Sequence, residues 1–327
     1  MRPGASVDRA MVGATHAPAE AAVGAEEAEG PAPAATGAWP LPRPYDFLET
    51  TRMLRVGAWD PTVRREPGGL WRTANTPEGV ATVRLRVGDQ VCAQAWGPGA
   101  AYAIGEVPAW IGLDDPVWAL PPHPVTDRLL RRHRGLRATD TRDVFQALVT
   151  IVLQQLVTWQ EAALTWRRLC SALGAPAPGP IGDLRLAPTP GAIRAAGPEG
   201  LQQLGVGFQR ARTLLAVARA ARLLEQAKSL PTGEASALLQ SVRGVGPWTA
   251  AVVLGARLGR PEPVPVGDLH LPHTVSWALA GEPRGSDARM LELLEPFQGL
   301  GYRVVRLIHA ARIEAPRRGP RMPLRRR

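Results

Sequence analysis

The stretch LQSVRGVGPWTAAVVL, residues 239–254, decides the fold, and VPVGDLHLPH follows it at residues 264–273. Apolar residues lie at helical spacing on both sides of the turn 243–249, which predicts two short helices around a tight hairpin. Gly244 and Gly246 let the backbone turn sharply. Free amide groups at the start of the second helix favour an anion. The stretch therefore predicts a helix–hairpin–helix that can hold a phosphate without reading base sequence; for the two glycines alone, a plain turn between core helices is the alternative.

The sequence around this hairpin is helical from Pro121 onward. TRDVFQALVTIVLQQL (141–156) has apolar residues at helical spacing and a helix cap at Thr141 or Asp140. Residues 160–173 repeat the same period, 175–180 form a loop, and 200–226 hold a short helix, a glycine-rich turn and a long helix. We therefore predict an all-helical domain over residues 120–311.

The sequence before this domain is rich in strand patterns. Residues 80–87, VATVRLRV, alternate apolar and basic side chains, as a half-buried strand does. QVCAQAW at 90–96 follows a Val-Gly-Asp turn, so a hairpin is expected. The predicted fold class is α+β, with a small N-terminal antiparallel-sheet domain over residues 43–119 followed by the all-helical helix–hairpin–helix domain.

The two ends of the chain differ in composition and charge. Residues 1–42 are rich in Ala, Gly, Pro and Glu and have few large apolar side chains, which predicts disorder. Residues 312–327 hold seven arginines and one acid, a net charge of +6, interrupted by Pro and Gly. This segment is predicted to be a flexible arm that lies on a phosphate backbone; a tail that only improves solubility is the alternative.

The charge of the whole chain points to nucleic acid. Of 327 residues, 45% are hydrophobic and 21% charged, which is typical of a globular protein. The net charge is +10, and Lys228 is the only lysine, so the basic surface is made of arginine, which binds phosphate bidentately. A merely soluble basic protein is the competing interpretation.

Several classes of protein are excluded by what the sequence lacks. It has no apolar run of the roughly 18 residues that cross a bilayer, and its start has no signal-peptide core, so a cytoplasmic, nucleoid-associated location and no membrane partner are expected. The two cysteines, Cys92 and Cys170, cannot supply a four-thiolate iron–sulfur or zinc site. Both are interpreted as structural.

The hairpin followed by an aspartate, LQSVRGVGPWTAAVVL…VPVGDLHL, resembles the helix–hairpin–helix/Gly–Pro–Asp (HhH-GPD) superfamily of DNA glycosylases. Within it, the chain is most similar to the 3-methyladenine DNA glycosylase II family. The supporting motifs are IVLQQLVTWQEA (151–162), LGVGFQRARTLLAVA (204–218) and YDFLETTRMLRVGAWDP (45–61). The resemblance covers about residues 45–311 and is strongest over 140–275.

This resemblance implies a monofunctional DNA glycosylase that flips out alkylated purines and hydrolyses their N-glycosidic bond. Asp268 matches the catalytic carboxylate, which would stabilise positive charge on the sugar or deprotonate water; a loop aspartate or helix N-cap is the alternative. Trp248 stands where bifunctional members carry a Schiff-base lysine, and Lys228 lies in another predicted helix. The Trp248 indole is expected to stack on a cationic base, or else to belong to the core.

The same resemblance supplies the remaining site residues. Leu156 matches the wedge that fills the gap left by a flipped nucleotide, although it would be ordinary core in a buried helix. Further contacts with DNA are implied for these residues: Gln155, Thr158, Gly244, Val245, Gly246, Thr249 and His270. Trp248, Leu269 and Phe297 would form the base pocket, which is less aromatic than in relatives. For His270 and His273, solvated or capping roles compete with a role in binding.

The resemblance also implies the ligands and partners. The backbone carbonyls of Gln240, Val242 and Val245 are expected to hold a structural monovalent cation, and no other cofactor is expected. The expected partner is double-stranded DNA with damaged bases, bound by a monomer. Two alternatives stay open: a non-catalytic helix–hairpin–helix protein that binds DNA or senses lesions, and a bifunctional glycosylase-lyase, against which the missing lysine argues.

Overall fold

The computed structural model describes residues 30–316, which contain a five-stranded sheet and twelve α-helices; α1 lies between the first two strands, and the other eleven helices follow the last strand. The strands are β1 (Ala35–Pro40), β2 (Val63–Glu66), β3 (Gly69–Thr76), β4 (Gly79–Val87) and β5 (Gln90–Trp96). The helices are α1 (Phe47–Thr50), α2 (Ala100–Trp110), α3 (Pro124–Arg132), α4 (Val144–Val152), α5 (Trp159–Leu173), α6 (Pro190–Gln203, interrupted at Gly197), α7 (Phe208–Leu224), α8 (Thr232–Gln240), α9 (Pro247–Val252), α10 (Leu271–Ala280), α11 (Asp287–Leu294) and α12 (Gly301–Ala310). Short 3-10 helices cover Thr51–Leu54, Glu225–Lys228 and Glu295–Phe297, and a π-helical turn covers Val253–Arg257.

The sheet is antiparallel throughout, with the strand order β1-β5-β4-β3-β2. The predicted hairpin is confirmed as β4 and β5, which pair from Thr82↔Trp96 to Val87↔Val91. Alternate residues such as Val83 and Leu85 are fully buried against α2, because successive side chains of a strand point to opposite faces. The predicted α+β class, with the sheet before the helices, is confirmed.

The segment predicted to be disordered, residues 1–42, includes residues that are in fact ordered. Ala35–Pro40 forms β1, which pairs along its whole length with β5. Trp39 packs against the core between the sheet and α2, and this contact offsets the ordering entropy that the small residues around it cannot offset. At the other end, Arg312, the first residue of the predicted flexible arm, forms an ion pair with Glu49 at 3.0 Å. Residues 1–29 and 317–327, and the predictions for them, lie outside the described residues.

The helices bury two adjoining cores. The larger core is formed by the inner faces of α4, α5, α7, α8 and α9, and the completely buried Trp166 and Leu169 of α5 lie in it. The second core is formed by α3, α10, α11 and α12. Across residues 30–316, no helix has both the length and the apolar content that crossing a bilayer requires.

Buried polar contacts join the sheet to the helices. The Asp60 carboxylate accepts hydrogen bonds from the Val56 amide and from Nε1 of Trp166, which lie on opposite sides of the junction. On α12, the buried Arg306 forms an ion pair with Glu49 at 3.0 Å. These contacts fix the N-terminal segment against the helix that ends beside the candidate site.

Asp143, which caps α4, gives the fold a measurable pH dependence. Burial, followed by the charge of Glu225, raises the pKa of Asp143 to about 6. Since the folded state then holds this proton more tightly than the unfolded state, the group's contribution to stability falls as the pH rises from about 4 to 6. Asp143→Asn keeps the cap to the Gln146 amide and should increase the free energy of unfolding by about 1–3 kcal/mol above pH 6, with little change near pH 4.

Urea unfolding at pH 4 and pH 7.5 measures this effect. Asp46→Asn is the matched control, because Asp46 caps α1 through the Glu49 amide in the same way. The control should change stability little and by the same amount at both pH values. An equal gain for both variants at pH 7.5 would contradict the assignment to Asp143.

Candidate active site

The predicted hairpin is present between α8 and α9. Gly244 has φ +94°, and a Cβ atom there would lie 2.0 Å from Oγ1 of Thr213 on α7, so only glycine fits. The Val245 amide donates to the Val242 carbonyl at 3.0 Å and closes the turn. Gly246 precedes α9, has open space beside its Cα, and leaves its amide without a hydrogen-bond acceptor among the described residues. The turn therefore presents backbone donors at a helix N-terminus.

Asp268 lies between the hairpin and α10, held by three hydrogen bonds. Its Oδ1 atom accepts from the amides of His270 and Leu271, both at 2.8 Å, and so caps α10. Its Oδ2 atom accepts from Nε1 of Trp248 at 2.8 Å. These bonds agree with the alternative of an aspartate that caps a helix, and the side chain lies partly exposed beside the hairpin.

The predicted wedge residue lies in the turn between α4 and α5. The Leu156 side chain is 100% exposed and its φ is +57°, a left-handed conformation that costs a leucine of the order of 1 kcal/mol. Beside it, Nε2 of Gln155 donates to the Gly244 carbonyl at 3.0 Å and to Oγ1 of Thr249 at 2.9 Å. The wedge loop and the hairpin are thus joined directly through one glutamine.

Other predicted residues have different surroundings from those expected. The prediction that Phe297 lines the base pocket is wrong, because its side chain is completely buried in the second core. There its ring packs edge-on against the ring of His123, with 5.6 Å between the ring centres. Thr249 is 2% exposed, and its hydroxyl is occupied by Gln155, so its side chain supports the hairpin rather than meeting a ligand. Val245 is also buried.

The remaining predicted residues stay near the surface. Leu269 follows Asp268 and is 73% exposed. His270 is exposed at the start of α10. Thr158 caps α5 through the Glu161 amide. His273 accepts a hydrogen bond from the Gly285 amide through Nδ1, which favours the structural interpretation of that histidine.

Three contributors to the site escaped the sequence analysis. Arg210 donates from Nη1 to the Leu153 carbonyl at 2.8 Å and fixes the start of the wedge loop. On α12, burial raises the pKa of Tyr302 to about 12, and desolvation lowers that of His309 to about 4; the Asp268 charge acts on both. The His309 side chain is nonetheless exposed, in the last turn of α12. In the sequence, the seven-residue spacing of Tyr302 and His309, which places both on one side of a helix, could have indicated these two residues.

The hairpin carbonyls meet a first requirement of the expected cation site. The hydrogen bonds of the described residues leave the carbonyl oxygens of Gln240 and Val245 without a donor, while the Val242 oxygen accepts one hydrogen bond from Val245. Carbonyl oxygens without donors, at the end of one helix and just before the next, are suitable ligands for a hard cation.

The structure thus brings together a hairpin between two helices, an aspartate that follows it, and the loop of Leu156, which Gln155 joins to the hairpin. Residues 149–299 match the family model described as "HhH-GPD superfamily base excision DNA repair protein". The matched residues make up a little less than half of the chain, and the match confirms the predicted resemblance over them.

Individual relatives agree with this placement. The chain is 32% identical over 125 residues to DNA-3-methyladenine glycosylase 2 of Escherichia coli (strain K12), an alignment that covers 38% of this chain and 44% of that protein. The aligned part thus spans less than half of that relative.

Two solved structures share the fold. The 3-methyladenine DNA-glycosylase from Archaeoglobus fulgidus has a TM-score of 0.73 at 20% identity, covering 83% of this chain and 96% of that one. The Clostridium acetobutylicum 8-oxoguanine glycosylase/lyase, in complex with double-stranded DNA, has a TM-score of 0.63 at 17% identity, covering 82% and 92%.

Proposed function

We propose that the protein is a monofunctional DNA glycosylase that hydrolyses the N-glycosidic bond of alkylated purines in duplex DNA. The oriented carboxylate of Asp268, held by Trp248 and by the start of α10, carries this proposal. Cleavage of the bond develops positive charge on the sugar, and a fixed carboxylate stabilises that charge without having to reorganise. The same carboxylate accepts a proton from the attacking water.

The surroundings of Asp268 support binding of duplex DNA from which one base is flipped out. The hairpin amide of Gly246, with the exposed Arg243 next to it, provides donors and positive charge for a phosphate. Leu156 is fully exposed in a strained turn, which has no benefit for folding and suits a side chain that replaces an extruded base. Gln155 couples the two elements, so wedge and phosphate contacts keep a fixed spacing.

The absence of a suitably placed amine supports hydrolysis without strand cleavage. Schiff-base chemistry requires a nucleophilic amine at the sugar. The single lysine of the chain, Lys228, is paired with Glu225 at 2.8 Å and donates to the Arg142 carbonyl. The corresponding hairpin position carries Trp248, whose indole is already hydrogen-bonded to the carboxylate.

The pocket for the base is proposed between the hairpin helix and α12. Trp248 and Val252 are partly buried on one side, and Tyr302 and His309 lie on the other. Tyr302 packs against Gly255, where a Cβ atom would lie 2.4 Å from its ring, so this glycine makes room for the tyrosine. One tryptophan and one tyrosine provide the π-faces that attract a cationic alkylated purine.

A monovalent cation is proposed at the carbonyl oxygens of Gln240, Val242 and Val245. Its charge would strengthen the attraction of the hairpin for a phosphate.

Release of free bases from methylated duplex DNA, resolved by chromatography, tests the function. We expect release of 3-methyladenine or 7-methylguanine and intact, alkali-labile strands. Borohydride should trap no covalent protein–DNA adduct. Binding without release of any alkylated, deaminated or oxidised base would favour a non-catalytic DNA-binding protein instead.

Leu156→Ala tests the wedge. Loss of the side chain should lower base release from duplex DNA by about tenfold, because the extruded state loses the group that fills the stack. Release from single-stranded DNA should change little. Since Leu156 makes no buried contact, the melting temperature should stay the same.

Leu48→Ala is the matched control for this variant. Leu48 is a surface leucine, 64% exposed, in α1. It should leave release from both substrates unchanged. Equal losses on duplex and single-stranded DNA for Leu156→Ala would contradict a wedge role.

A further inference from the structure

A small cavity, with about 10 Å³ of space for the centre of a water-sized molecule and partly open to solvent, lies where the sheet meets the helical domain. Arg72 from β3, Thr141 from the loop before α4, and Arg257 from the π-helical turn contribute to its wall. It is separate from the candidate active site, since neither Asp268 nor Trp248 lines it.

Three of the eleven buried side-chain atoms that lack a hydrogen-bond partner in residues 30–316 belong to this wall. They are Nη1 of Arg72, Nε of Arg257 and Oγ1 of Thr141. The two arginines are each 4% exposed and the threonine 9%. A buried unpaired donor costs about 1–3 kcal/mol, so three around one cavity require an acceptor that the protein itself does not supply.

The wall of the cavity is positively charged. No carboxylate oxygen of residues 30–316 comes within 4 Å of either guanidinium, and none of the residues that line the cavity is acidic. Burial lowers the pKa of Arg72 to about 10 and lowers that of Arg257 as well, which leaves both charged at neutral pH. From more than 4 Å away, the negative charges of Asp60, Asp140 and Asp143 raise the pKa of Arg72 and partly offset the effect of burial. The charge of Asp60 also raises the pKa of Arg257.

The three donors are fixed in place before any ligand binds. Nη2 of Arg72 donates to the Thr141 carbonyl at 3.3 Å, and the guanidinium stacks on Trp110 at 4.0 Å. The Thr141 amide donates to the Arg257 carbonyl at 2.7 Å, and Nη1 of Arg257 donates to the Met53 carbonyl. Such a preformed set loses little side-chain entropy on binding.

We propose that this cavity binds a single small monovalent anion, with chloride as the ligand. Two arginines and a threonine with unpaired buried donors line this small cavity, and no acid lines it, which is a charge and donor pattern that an anion satisfies. A water molecule has two lone pairs, so it leaves one of the three donors without an acceptor. Because the site joins β3, the α4 loop and the π-helical turn, the anion stabilises the junction of sheet and helices, independently of the proposed function.

Thermal melts of the full chain test this proposal at fixed ionic strength, with sodium chloride progressively replacing sodium gluconate. The melting temperature of the wild type should rise with chloride and reach saturation as a one-site function. Thr141→Val keeps the shape of the side chain and removes one donor; it should weaken the chloride dependence about tenfold. Thr82→Val, which removes another buried unpaired hydroxyl in β4, should leave the dependence unchanged.

Anomalous diffraction from crystals soaked in bromide locates the ion. The proposal expects a peak within about 3.5 Å of Arg72 and Arg257, and no such peak in Thr141→Val crystals at the same concentration. The proposal would be overturned if the melting temperature were the same in chloride as in gluconate, or if bromide bound only at the surface. Equal chloride dependence in wild type and Thr141→Val would do so as well.

Discussion

Asp268→Asn should lower the rate of base release by about a thousandfold or more, while DNA binding stays equal or becomes tighter. The neutral amide removes the charge that stabilises the developing sugar cation, and also the base for the attacking water. Asparagine retains a carbonyl oxygen for the amides of His270 and Leu271, so the start of α10 persists, while its NH2 group cannot accept from Trp248 as Oδ2 does. The loss therefore falls on the chemical step, measured as single-turnover base release with enzyme in excess over methylated duplex DNA.

Asp287→Asn is a demanding control for this prediction. Asp287 accepts a hydrogen bond from the Gly267 amide at 3.0 Å, immediately before Asp268, and asparagine retains that acceptor. Base release by this variant should stay within about threefold of the wild type, since a neutral hydrogen bond changes by less than about 1 kcal/mol. Normal release by Asp268→Asn would remove the catalytic assignment, and with it the proposed reaction at this carboxylate.

Gly244→Ala should destabilise the fold by about 2–4 kcal/mol. The added Cβ would lie 2.0 Å from Oγ1 and 2.9 Å from Cγ2 of Thr213, and the φ of +94° is strained for any residue with a side chain. The hairpin must then shift away from α7. Urea unfolding monitored by circular dichroism measures the change in the free energy of unfolding.

Gly246→Ala provides the contrast within the same turn. At Gly246, φ is −96°, and no atom lies within 4 Å of the position of an added Cβ. The free energy of unfolding of Gly246→Ala should differ from that of the wild type by less than about 1 kcal/mol. Because the added methyl group lies beside the free amide of residue 246, it should weaken DNA binding. Equal destabilisation of the two variants would show that the turn does not have the close packing against α7 described above.

The hairpin and the sheet were predictable because they depend on local sequence. Gly244 and Gly246 at this spacing, with apolar residues on both sides, allow few other conformations. The alternation over residues 80–87 likewise gave the strand β4 and its hairpin partner. Leu156 was predicted from a motif, and its complete exposure excludes the alternative of a buried helix residue that the sequence also allowed.

The parts that the sequence did not reveal depend on contacts between distant residues. Phe297 lies within a family-like segment, but its burial is decided by α3, whose His123 packs against it. Nothing local indicates that Arg72 and Arg257, 185 positions apart, line one cavity. β1 escaped notice since a strand of small residues takes its stability from β5, which supplies the hydrogen bonds.

The hydrogen bond between Trp248 and Asp268 has a consequence for how this scaffold evolves new reactions. The position that would hold the lyase amine here supplies the indole that orients the carboxylate. An exchange of tryptophan for lysine would therefore introduce a nucleophile and remove a support in the same step. Under the proposed function, a lysine at this position would therefore not add strand cleavage without loss of a contact that holds the carboxylate.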